Sequence, residues 1–90
     1  MSHRVIWRPR ARTELADAYL LARRLGLSRR VTQAAAQIDT LLKSSPESLG
    51  EGRHDSLRVL IVKPLTVDFE VRLDGTVVVH ALRLIRPRRR

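Results

Sequence analysis

The sequence predicts a two-layer α+β domain: a helix hairpin packed on one face of a mostly antiparallel four-stranded sheet, in the order β-α-α-β-β-β. Three observations predict it. Apolar residues recur at spacings of three and four in two stretches between Ala11 and Leu42, with Gly26 between them. The period then becomes two, from Leu65 to Leu73. Asp74-Gly75 follows, a dipeptide typical of two-residue hairpin turns. With 90 residues, 43% of them apolar, the chain is a single domain with material for one small core.

Residues 4–8 alternate around Val5 and Trp7 and read as a first strand, ended by Pro9, which suits the first turn of a helix. Ala11, Leu15, Ala18, Ala22 and Leu25 form one helical stripe, widened by Tyr19 and Leu21. Gly26 suits a left-handed C-cap, and Ser28 offers an N-cap to a second helix. The second stripe is Val31, Ala34, Ala35, Ile38, Leu41 and Leu42, and Ser44-Ser45-Pro46 stops it. So short a link makes the two helices an antiparallel hairpin. Residues 46–57 read as a long loop. The nearly all-apolar run from Arg58 to Val62 is expected to be a strand covered on both sides.

If Asp74 and Gly75 are the whole hairpin loop, the register follows by counting. Leu73 pairs with Thr76, Val71 with Val78, Phe69 with His80, Val67 with Leu82 and Leu65 with Leu84, all on the core face. Thr66 meets Arg83 on the reverse face. This puts His80 beside Phe69, in or near the core.

Sixteen Arg and two Lys stand against nine acids, a formal charge of +9. Residues 1–30 carry eight Arg and two acids, and residues 83–90 carry five Arg and no acid. Basic ends around a near-neutral middle suit an anionic partner such as RNA, DNA or an acidic protein segment. The chain has no Cys, which excludes disulfides, thiol nucleophiles and thiolate zinc sites. No apolar run suits a signal peptide or a membrane span, so the expected address is the cytoplasm.

Several stretches together resemble a known family. Ala11-Arg12-Thr13-Glu14-Leu15 follows a short strand, and Ile38-Asp39-x-x-Leu42 precedes Pro46. Gly50-Glu51-Gly52-Arg53 leads to Leu57-Arg58-Val59-Leu60. Pro64-Leu65-Thr66-Val67-Asp68-Phe69-Glu70-Val71 is followed, after a turn, by Val77-Val78-Val79-His80. In order and spacing the chain resembles the RelE/ParE superfamily of type II toxin–antitoxin toxins, also known as plasmid-stabilisation proteins. The resemblance spans nearly the whole chain. It implies a small basic toxin neutralised by a cognate acidic antitoxin. RelE-like members cut mRNA in the ribosomal A site, and ParE-like members poison DNA gyrase.

RNA cleavage at a 2′-hydroxyl needs a base, an acid and cations that offset the extra charge on phosphate, and requires no metal. Arg58 matches the family's arginine at the start of a strand, and Arg83 and Arg86 approach its late basic position. His80 is the only strand side chain of a type that titrates near neutrality. Arg58, His80 and Arg83 are thus the candidate catalytic residues. Arg53, His54, Arg58, Arg83 and Arg86 are the candidate nucleic-acid contacts. No Tyr follows Tyr19, and Lys63 is the only Lys near the strands, so the Tyr and Lys of RelE-like enzymes have no counterpart. No Gly-rich phosphate loop or metal-ligand spacing is present, and no cofactor is expected. Trp7, Tyr19 and Phe69 are scattered along the chain and are expected in the core rather than as a base-stacking platform.

Overall fold

A computed structural model describes residues 3–44, 46, 51–52 and 57–86. Strand β1 (Val5–Trp7) leads into helix α1 (Pro9–Leu25) and then helix α2 (Ser28–Ser44). A two-residue strand, β2 (Glu51–Gly52), precedes β3 (Leu57–Val62), β4 (Leu65–Val71) and β5 (Val77–Leu84). The sheet order is β1-β5-β4-β3-β2. Only the β1–β5 pairing is parallel. The architecture is the expected helix hairpin on a mostly antiparallel sheet of four main strands, with β2 added at the edge inside the expected loop.

The helices form where the periodicity places them. Pro9 begins α1, and Gly26 ends it at φ 71°, its N–H donating to the Ala22 carbonyl. The buried face of α1 is all alanine (Ala11, Ala18 and Ala22), which lets the helix lie close to β5. Leu25 and Tyr19, expected in that stripe, are 42% and 36% exposed. Helix α2 supplies bulkier packing through Val31, Ile38 and Leu42, all fully buried. From the sheet, Leu60, Leu65, Val67, Phe69, Val77, Val79 and Leu82 complete the core. Strand β3 is covered on one face only. Leu60 points into the core, whereas Ile61 is 59% exposed, so the expectation of cover on both sides fails.

The β4–β5 hairpin departs from the expected register in two places that cancel. Arg72 N–H donates to the Thr76 carbonyl at 2.8 Å, and Gly75 N–H donates to the Arg72 carbonyl at 2.9 Å. The loop is therefore Leu73-Asp74-Gly75, a turn closed by Gly75 at φ 87°. Leu73 leaves the sheet for solvent instead of pairing with Thr76. Thr76 N–H donates to Asp74 Oδ1 at 2.9 Å and holds that carboxyl below its ordinary value. The extra loop residue shifts the register by one, giving Val71↔Val77, Glu70↔Val78 and Phe69↔Val79. A β-bulge between Asp68 and Phe69 then restores the expected pairs Asp68↔Ala81, Val67↔Leu82, Thr66↔Arg83 and Leu65↔Leu84.

The unpaired residue at the bulge is His80. It does not sit beside Phe69; Val79 does, and both are fully buried. The physical reason lies in β5 itself. Its core residues are Val77 and Val79, then Leu82 and Leu84, so the apolar positions change parity between 79 and 82. A regular strand would bury the imidazole. The bulge lets Val79 fill the place opposite Phe69 and turns His80 to the other face.

Candidate functional site: the helix-free face of the sheet

Glu70 alternates with Phe69 and Val71 on β4, so it projects from the face opposite the helices. The bulge turns His80 to the same face. Its Nε2 donates to Glu70 Oε1 at 2.7 Å, with the two side chains 30% and 25% exposed. An acceptor on Nε2 fixes the neutral ring as its Nε2–H tautomer and leaves Nδ1 as a basic nitrogen. Glu70 has a further interaction beside this one. Bulges commonly re-aim a side chain next to a reactive site, and here one produces the only His–carboxylate pair among the described residues.

Arg83 lies on the same face, paired across to Thr66, and is exposed with no ion pair among the described residues. Its place on the reverse face agrees with the expected register. Arg58 does not join it. Arg58 pairs with Phe69, which puts its side chain on the helix side, at the sheet's end, half-buried and engaged in a contact of its own. The three candidate catalytic residues are thus divided, His80 and Arg83 on one face and Arg58 on the other. Arg86 is exposed beyond β5, at the mouth of a cavity of about 580 Å³ that Arg30 and Lys63 also line. Arg53 and His54 lie outside the described residues.

The sequence reading missed Glu70 as a partner for His80, because the counted register placed His80 on the core side. The parity change in β5 was the available signal. It also missed Glu14, whose Oε1 accepts the Leu82 N–H at 3.0 Å. β1 ends at Trp7, so β5 beyond Val79 has no strand on that side, and the α1 carboxylate covers the exposed donor. Among the described residues no three His, Asp or Glu side chains converge to hold a metal, and no helix is long and apolar enough to cross a membrane.

Neither a family model nor a curated protein sequence matches the chain. Among solved structures it is similar to a chain from the chromosomal ParDE toxin–antitoxin system of P. aeruginosa. That likeness has a TM-score of 0.72 and 15% identity, and covers 94% of this chain and 98% of the other. Together these findings define a ParE-like α+β fold.

Proposed function

We propose that the chain is the toxin of a type II toxin–antitoxin pair, a ribosome-dependent mRNA endoribonuclease held silent by a cognate acidic antitoxin. The observation that supports the toxin reading is the ParE-like fold across 94% of the chain. The net charge of +9 suits both an anionic target and an acidic neutralising partner. A toxin acting on ribosomes or gyrase works in the cytoplasm.

The His80–Glu70 pair supports the ribonuclease reading. Glu70 orients the ring, and His80 Nδ1 takes the proton of a 2′-hydroxyl. The freed oxygen attacks the adjacent phosphorus, the 5′-oxygen leaves with a proton from water, and the product end is a 2′,3′-cyclic phosphate. Arg83, on the same face, offsets charge on the phosphate. Arg58 serves from the other side of the sheet end as a contact to RNA or to the antitoxin. Arg86, together with Arg53 and His54, adds phosphate contacts.

A second reading, inhibition of DNA gyrase without chemistry, is favoured by the ParDE origin of the solved neighbour. Controlled induction in a bacterial host separates the readings. The ribonuclease reading expects growth arrest with cut mRNA, relieved by co-expressing a small acidic protein encoded beside the gene. Gyrase inhibition gives arrest with broken DNA and whole mRNA. Normal growth on induction overturns both and leaves a non-toxic nucleic-acid-binding module.

A further inference from the structure

The groove beside β1 brings together residues that are far apart in sequence. Trp7 on β1 and Tyr19 on α1 line one cavity of about 640 Å³ with Leu15, Arg4 and Arg12. The chain has three aromatic residues, one each of Trp, Tyr and Phe, and two of them line this cavity. Of these, only Phe69 is fully buried in the core. Tyr19 is 36% exposed, and Trp7 packs against the core with part of its surface free. Trp7 keeps the core contact expected of it, while Tyr19, expected in the core, stands at its rim.

The polar groups of the groove share one sign. Arg4 and Arg12 are exposed, form no ion pair among the described residues, and no carboxylate lines the cavity. The strand edge adds further hydrogen-bonding groups. The Arg4 carbonyl and the Arg8 N–H are both bonded to β5. In a parallel ladder this turns the N–H and C=O groups of Val5 and Trp7 outward, toward the groove.

We propose that this groove binds single-stranded nucleic acid, with a base against Trp7 and Tyr19 and the flanking phosphates on Arg4 and Arg12. Aromatic faces stack on any base, and guanidinium groups track the backbone, so such a site is tolerant of sequence. The outward Val5 and Trp7 backbone groups are donors and acceptors for a base edge. The cavity volume suits a nucleotide-sized group. An added polypeptide strand is the less suitable occupant, because β1 is only three residues long and offers two residues of open edge. The site does not depend on toxicity or on His80 chemistry, and a non-toxic chain with this groove binds in the same way.

Trp7 is the only tryptophan, so its fluorescence reports the groove directly. The test titrates the full chain with a single-stranded oligouridylate, and in parallel with uridine monophosphate, polyglutamate and inorganic phosphate. The proposal expects saturable quenching by the oligonucleotide. Tyr19→Ala should raise Kd about tenfold or more, whereas Tyr19→Phe should keep it near wild type. Arg12→Ala should lower the slope of log K against log salt by about 0.7. Three results would overturn it: binding without quenching that Tyr19→Ala leaves unchanged, which assigns binding to the arginines of residues 83–90; equal quenching by polyglutamate or phosphate; or monophosphate binding as tightly as the oligomer. Thermal melts of both Tyr19 variants establish that each is folded.

Discussion

Replacing His80 with alanine separates the bulged register from the regular one by stability alone. In the structure the side chain is 30% exposed and gives up one hydrogen bond, to Glu70. A hydrogen bond to a carboxylate contributes about 1.5–3 kcal/mol when dry, and the partial exposure of both groups brings this one to about 1 kcal/mol. Phe69, by contrast, is fully buried, and Phe69→Ala removes a ring from the packed core, at about 3–5 kcal/mol. A 90-residue domain holds on the order of 5–13 kcal/mol in total. His80→Ala should therefore lower Tm by about 4–8 °C, the shift that roughly 1 kcal/mol produces in a domain of this size. Phe69→Ala should lower it several times as much or unfold the chain. A double-mutant cycle of His80→Ala with Glu70→Ala should give a coupling of roughly 1 kcal/mol. The assay is thermal and urea unfolding followed by circular dichroism. A His80→Ala loss as large as that of Phe69→Ala would place the ring in the core and refute the bulge. Strict additivity with Glu70→Ala would remove the pair.

Other consequences follow from single contacts. Glu14→Ala leaves the Leu82 N–H without its acceptor, so exchange of that amide should quicken, while Glu14→Gln keeps it slow; equal rates in the two variants would contradict the capping role. Gly75→Ala forces a side chain to φ 87° and should cost about 1 kcal/mol in urea unfolding, from backbone strain alone, because the new Cβ meets His3 Nδ1 at an ordinary 3.6 Å. Asp74 has its carboxyl held down by the Thr76 N–H, so the ionised form is favoured in the folded state. Its contribution is present above the ordinary carboxylate range and is lost as pH falls through that range to the lower folded value; Asp74→Ala should flatten this acid limb of a stability–pH profile.

The helices were legible because their signals are local. Gly26, Pro9 and the Val31–Ile38–Leu42 spacing each act within one or two turns of chain. The fold class followed from the change of period at Leu65. The hairpin was harder to read, since Asp-Gly is compatible with loops of two or three residues, and three consecutive valines at 77–79 hide which parity faces the core. That ambiguity concealed the His80–Glu70 pair, because a one-residue slip moves a side chain from one face of a sheet to the other. The face that Arg58 occupies was hidden for the same reason. Its residue type suits phosphate, but its face depends on a pairing partner, Phe69, eleven residues away. The grouping of Trp7 with Tyr19 depends on how α1, packed on β5, borders one cavity with β1, which no local pattern encodes.

The functional account rests on the helix-free face acting through His80. Mapping RNA 5′ ends in cells shortly after induction tests this most directly, with wild type and His80→Ala expressed at equal levels. The account predicts new ends within translated messages for the wild type, and about a hundredfold fewer for the variant. Equal cutting by the two proteins, or arrest with intact messages and broken DNA, would contradict it.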